Sequence, residues 1–355
     1  MTSSRAERAS ARDSTTRSNR ADPRPAAGSA TPATIAWLLE EDQPSVRYRT
    51  LTELLDRKES DPDVREAKSR ILERGWAADI LSEQDASGGW GDDKSPYRPK
   101  YTSTNWRMLV LSDLGLSRKE PVVRTACEFW MRGLAAKEGR LGGSSTGTPH
   151  YCVSANMARA LTRFGYADDS RVRRTLDWLV EIADPKGGWS CFSRGRDLDS
   201  WEALSAFAFY PRSKWTQGMT ECVEKGAEFY LQRELHRQGA RYAPWYRFHY
   251  PVHYYYDLLV GLDFMTRLGY ADDPRMGFAI EHLRSRQRRD GRWNLDAVHP
   301  DVEGPIAAWF AKHPKDRPVP YALEKVGKPS KMITLTALRV LRAVDAAEAA
   351  REGGR

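Results

Sequence analysis

Two kinds of segment alternate along the chain. One kind has apolar residues at i, i+3 and i+4 with many charges between them, as in residues 170–183, 219–235 and 273–287. That spacing predicts amphipathic helices with one face on a core and one in water. The other kind is apolar on most faces and carries few charges: residues 102–114, 151–164, 199–210, 252–268 and 330–344. Helices of that composition must be covered on most sides. Glycine punctuates the passage from one kind to the next, at Gly88-Gly89-Trp90, Gly142-Gly143, Gly187-Gly188-Trp189 and Asp290-Gly291-Arg292-Trp293. Glycine supplies the left-handed turn that stops a helix, and tryptophan covers the exposed end.

The alternation is periodic. GYADDSRVRRTLDWLVEIADPKGGW (165–189) matches GYADDPRMGFAIEHLRSRQRRDGRW (269–293) at an offset of 104 residues. ACEFWM (126–131) matches GAEFYL (226–231) at an offset of 100, with LDWLVE (176–181) midway. A unit of about fifty residues, one helical hairpin, therefore repeats. Five or six such hairpins, the first built from 46–57 and 62–75, predict an all-α fold that closes into an α/α barrel with the apolar helices inside. An open solenoid would leave those apolar faces along an exposed groove. The barrel is expected over residues 33–346. An irregular excursion at 294–329, with six prolines, is expected across one mouth. A disordered Arg/Ala/Ser-rich tail is expected at 1–32 and a short flexible tail at 347–355.

Composition narrows the function classes. The formal net charge is +8, but residues 1–30 hold six arginines against three acids. The remaining surplus is spread among acids, which does not describe a nucleic-acid-binding surface. No apolar run spans a bilayer, and peripheral membrane contact is not encoded. Cys127, Cys152, Cys191 and Cys222 contain no CxxC pair, and a reducing, cytoplasmic setting is expected. Tryptophan (12) outnumbers phenylalanine (10), and the repeat turns account for part of that excess. The GYADD acids are expected to cap outer helices, not to bind metal. Cys127 and Cys222 fall in outer-helix patterns and read as core thiols.

SEQDASGGWGDD (82–93) and DPKGGWSCF (184–192) resemble the QW-type repeats of the squalene and terpene cyclase and protein prenyltransferase β-subunit superfamily. The resemblance spans roughly residues 35–345 and implies an α/α toroid, here a single barrel. It also implies roles for particular residues. Asp197-Leu198-Asp199-Ser200-Trp201-Glu202 resembles the DxDD motif of class II terpene cyclases, with Ser200 where the family has a third Asp. By position, Asp199 would be the proton donor to an alkene or epoxide and Asp197 its partner. Such an acid needs a second carboxylate and a dry cavity to stay neutral. His249-Tyr250-Pro251-Val252-His253-Tyr254-Tyr255-Tyr256-Asp257 opens the fourth inner helix, with His253 and Asp257 on one face. A zinc-binding His of the prenyltransferases falls near His253, but their Asp-x-Cys pair is here Asp199-Ser200-Trp201.

Overlaying the repeats makes Ser103, Val153, Asp199, Asp257 and Ser330 equivalent, with Trp106, Asn156, Glu202, Val260 and Ile333 one turn deeper. The candidate catalytic residues are therefore Asp199, Asp197, Glu202, His253 and Asp257. Trp106, His150, Asn156, Trp201, His249, Tyr254, Tyr256 and Lys331 are candidates for binding substrate. Aromatic faces stabilise carbocations by about 0.5–2 kcal/mol each. The reaction expected is protonation-initiated cyclisation or isomerisation of a hydrophobic isoprenoid-type molecule, without a cofactor. The alternatives are a zinc-dependent prenyltransferase-like transferase or hydrolase using Cys152, Asp199 and His253, and a non-catalytic toroid that binds a lipid or a protein. Each bland reading stands beside its rival: Asp199 as a helix cap, the tyrosine run as a packed layer.

Overall fold

The computed structural model describes residues 30–91, 95–144, 146–189, 201–238, 243–298, 308, 311–312 and 321–353. Among these there is no β-strand, only isolated bridges. The α-helices are α1 (Pro32–Leu38), α2 (Pro44–Arg49), α3 (Pro62–Arg70), α4 (Trp76–Ser82), α5 (Thr104–Asp113), α6 (Pro121–Gly133), α7 (Tyr151–Arg163), α8 (Ser170–Glu181), α9 (Trp201–Phe209), α10 (Gln217–Leu231), α11 (Leu258–Arg267), α12 (Gly277–Ser285) and α13 (Lys331–Gly353). A π-helical turn, Thr50–Leu54, extends α2.

The inner helices form a ring. α5 packs on α7, α7 on α9, α9 on α11, and α11 on α13. α13 then packs on α2 and its π turn. Arg49 at the end of α2 donates to the Asp113 carbonyl at the end of α5, 3.1 Å away, which completes the circuit. Outside this ring, α3 backs α2, α6 backs α5, α8 backs α7, α10 backs α9 and α12 backs α11. The architecture is an α/α toroid. Its main core is one continuous cluster running from Leu38 to Val344, with a small separate cluster of Leu51, Val64 and Ala67 where α3 backs α2.

Local chemistry explains where the helices start. Proline occupies the first turn of α1, α2, α3 and α6, where its missing N–H costs nothing. Asp169 caps α8 by accepting from Arg171 N, and Asp273 accepts from Arg275 N at the matching point of the later repeat. Each capping Asp also pairs with that arginine, which reaches a glutamate of the preceding outer helix, Glu128 or Glu228. The second Asp of each GYADD segment, Asp169 or Asp273, is thus an N-terminal cap, while Asp168 pairs with Lys214.

The tryptophans of the repeat turns have one geometry. Trp90 Nε1 donates to the Ile80 carbonyl at 2.9 Å, Trp189 Nε1 to Leu179 at 2.7 Å, and Trp293 Nε1 to Leu283 at 2.8 Å. Each reaches ten residues back to a carbonyl in the outer helix's last turn. Gly187, at φ +93°, makes the turn before Trp189; a Cβ there would lie 2.3 Å from the Lys225 carbonyl oxygen.

Two boundaries differ from expectation. The fourth inner helix begins at Leu258, because Asp257 is its N-cap and accepts from Val260 N at 2.8 Å. Residues 249–257 instead run into the barrel mouth as irregular chain. At the other end α13 continues to Gly353, carried by the strong helix formers Ala346, Ala347, Ala349 and Ala350 where a flexible tail was expected. The described ends of the excursion are pinched together: Leu295 N donates to the Lys328 carbonyl and Ser330 N to that of Trp293. Residues 296–297 lie against Phe248 and His249 at the mouth.

Candidate functional site

All inner helices run in the same sense around the ring, so their starts share one mouth and their ends the other. A central cavity lies between the two. It is narrow, with a cavity volume of about 60 Å³, and it opens to solvent. Trp201, Phe209, Val252, Leu259, Met332 and Ile333 supply apolar wall. His249 and Asp257 line it towards the N-terminal mouth, Arg49, Asp113, Arg159, Arg163, Asp263 and Arg267 line it where the helices end, and Tyr250 lies close enough to that end to feel Asp113, Arg49 and Arg163.

His249 and Asp257 form a buried dyad. Asp257 Oδ2 accepts from His249 Nδ1 at 2.5 Å and from the His249 backbone N–H at 2.9 Å, while Oδ1 caps α11. The pairing fixes the ring and assigns the proton to Nδ1, so Nε2 is an acceptor. That Nε2 is buried and has no partner among the described residues. His249 and Asp257 are eight residues apart; the expected face shared by His253 and Asp257 does not exist, because no helix spans them.

His253 sits elsewhere, in an aromatic layer across the mouth. It stacks on Tyr101 at 5.5 Å between ring centroids and meets the edge of Trp106 at 5.2 Å. Trp106 also meets Tyr254 at 5.1 Å, and its Nε1 donates to the Tyr97 carbonyl. Trp201 ties this layer to α9 by donating to the Tyr254 carbonyl at 3.1 Å. Burial pushes the His253 imidazole down to about 3, with the nearby His249, Arg159 and Lys100 adding to it, so the ring is neutral at physiological pH. Asn156 supports the same segment by donating to the His253 carbonyl at 3.1 Å. Glu202 is buried in the first turn of α9.

The remaining candidates are scattered. Tyr256 belongs to a second aromatic cluster with Tyr230, His236 and Trp245, against α10. His150 is exposed at the start of α7. Lys331 is buried in ion pairs with Glu40 at 2.8 Å and Asp42 at 3.0 Å, joining α13 to the α1–α2 turn. Its charge is thereby committed to the seam of the ring. Asp197, Asp199 and Cys191 lie outside the described residues. Cys152 is partly buried, and among the described residues no three His, Cys, Asp or Glu side chains converge as a metal would require. Cys127 and Cys222 are buried, and burial pushes the Cys222 thiol up to about 11.

Overlaying helix starts did not find the charged end of the cavity. Arg163 pairs with Asp113 at 3.2 Å, Arg49 with Glu53 at 2.7 Å, Arg267 with Asp263 at 3.1 Å, and Arg339 with Asp263. Burial alone would raise the Glu53 carboxyl, but Arg49 and Arg267 outweigh it and hold it at about 2. Asp263 is likewise held below the usual carboxylate range by Arg267 and Arg339, against burial. The signal was present: Asp113, Arg163, Asp263, Arg267 and Arg339 recur in the later turns of otherwise apolar helices.

No protein-family model matches the chain, and no curated protein matches it. Among solved structures the chain is similar to the type II terpene cyclase MstE from Scytonema in its apo form, at 18% identity over 87% of this chain and 88% of that one, with a TM-score of 0.42. A variant of MstE in complex with its substrate geranylgeranyl dihydroxybenzoate matches at 18% identity, 87% of each chain and a TM-score of 0.42. A complex with the product merosterolic acid A matches at 17% identity over 86% of this chain and 87% of that chain, with the same TM-score.

Proposed function

We propose that this protein is a terpene cyclase-like enzyme that takes an isoprenoid-type molecule into the barrel and begins its cyclisation or isomerisation by protonation. The observation that carries the reading is the position of Trp201. It lines the central cavity as the first residue of α9, and Asp197-Leu198-Asp199-Ser200 runs directly into it. An acidic run that resembles a protonating motif thus immediately precedes, in the chain, a residue that forms part of the apolar wall of the cavity.

The chemistry follows from that juxtaposition. The Asp199 carboxylic acid gives its proton to a terminal alkene, and the resulting carbocation is attacked intramolecularly by the next double bond. The Trp201 ring offers a π face to the cation. The final cation loses a proton to His249 Nε2, which Asp257 keeps oriented and able to hold the positive charge. Solvent returns the proton from His249 to Asp199, so no net proton is consumed. Tyr250, whose hydroxyl burial holds protonated well above the usual range, is not a base here.

Incubation of the purified chain with geranyl, farnesyl, geranylgeranyl and squalene-type substrates, with products read by gas chromatography and mass spectrometry, tests this. Asp199→Asn is expected to lower turnover by about a hundredfold or more, with an unchanged circular dichroism spectrum. Full activity in a folded Asp199→Asn protein would overturn the assignment.

A further inference from the structure

Among the described residues, Arg159 is a cavity cation without a carboxylate partner. It projects from the last turns of α7 and is 5% exposed. Among the described residues its guanidinium makes one hydrogen bond, at 3.5 Å to Ser205 Oγ, and it lies 5.2 Å from the centre of the Trp201 ring. Among the described residues no carboxylate comes within salt-bridge distance of it; Asp113, Glu202 and Asp263 act on it only from farther away. Its Nε is buried without a partner, and so is the Tyr250 hydroxyl. Both residues line the central cavity, beside Arg163 and Arg267. The neighbouring guanidiniums each hold a carboxylate. A buried charge without one is strongly destabilising, and burial penalises this guanidinium accordingly.

We propose that the charged end of the central cavity binds an oxyanion, the carboxylate or phosphate head group of a ligand, with Arg159 as its direct counter-ion and the Tyr250 hydroxyl as a second donor. A guanidinium offers paired N–H groups in a plane, which matches either head group. The ligand's apolar part would then lie along Trp201, Val252 and Ile333. That last point rests on the isoprenoid reading above; the anion site rests only on the surroundings of Arg159.

Isothermal titration of the full chain with farnesoate, farnesyl monophosphate, farnesol, benzoate and inorganic phosphate separates the two. Farnesoate or farnesyl monophosphate is expected to bind at least about tenfold more tightly than farnesol, the scale of one charge-assisted hydrogen-bonded pair. Arg159→Gln should reduce that preference to less than about twofold while leaving farnesol affinity unchanged. Whichever anion wins identifies the head group. If no farnesyl compound binds but benzoate or inorganic phosphate does so in an Arg159-dependent way, the anion site stands and the isoprenoid reading falls. Equal affinity for anion and alcohol, a preference that survives Arg159→Gln, or no anion binding at all overturns the proposal. Melting without ligand gives a second readout: Arg159→Gln should melt no lower than the parent, since it removes an uncompensated charge. A fall beyond about 3 °C would instead mark a structural arginine held for its stacking on Trp201.

Discussion

The buried histidines His253 and His236 are governed by burial more than by neighbours. Burial pushes His253 down to about 3 and His236 down to about 4. An unfolded histidine titrates near 6.5, so from there downward the unfolded chain binds the extra protons. The stability these rings contribute is complete above pH 6.5 and is lost as pH falls towards about 3, where the folded rings protonate too. In urea titrations, His253→Phe should therefore lose less stability than the parent between pH 6.5 and 5, the slopes differing by up to about 1.4 kcal/mol per pH unit. Identical slopes would mean that His253 is not held neutral. Some residues were legible at this scale. Ser103 and Asp257 were aligned as equivalent and both occupy N-cap positions, and Ser330 Oγ accepts from Ile333 N at 3.0 Å in the same manner. Arg159 was not legible, because a basic residue late in a helix ordinarily complements the helix dipole from solvent. Only the packing of α7 on α9 shows that this one faces inward.

For the elements, the repeat turns act as staples. Trp189 Nε1–H satisfies a buried carbonyl at the end of α8, so Trp189→Phe keeps most of the apolar contact and leaves that carbonyl bare. The expected loss is about 1–3 kcal/mol in chemical denaturation; a change within about 0.5 kcal/mol would show that water replaces the indole. Gly-Gly-Trp announced these turns because each residue's conformation and chemistry are local. The fourth inner helix was placed six residues early for the opposite reason. His, Tyr and Val between 249 and 256 give the same apolar count whether they line a helix or fill a mouth. What decides is the Asp257 carboxylate, which caps α11 and receives His249 at once.

In the whole molecule, α13 is the piece that turns a row of hairpins into a ring. It touches α11 on one side and the α2 unit on the other. Arg342 donates to the Glu53 and Leu54 carbonyls and pairs with Asp56, while Lys331 holds Glu40 and Asp42. A chain ending at residue 329 bares apolar faces of both neighbours, and its circular dichroism melt should lose the sharp transition of the parent. A cooperative melt at an unchanged temperature would mean that the remaining hairpins form a self-sufficient solenoid. Closure itself was readable from sequence, since helices apolar on most faces have to be surrounded. The ion pairs that lock it were not, because a charged residue carries no record of its distant partner.

The partners across that junction are separated by 286 to 291 residues in the chain. Contacts within a hairpin close small loops and form early, whereas this junction must bring together segments from nearly opposite ends of the chain. A nascent polypeptide can therefore assemble each hairpin as it emerges, but the central cavity acquires the wall made by Met332, Ile333 and Thr336 only after α13 has emerged and packed on α2. An intact central cavity therefore reports that the ring has closed, because its wall is complete only when segments nearly three hundred residues apart have met.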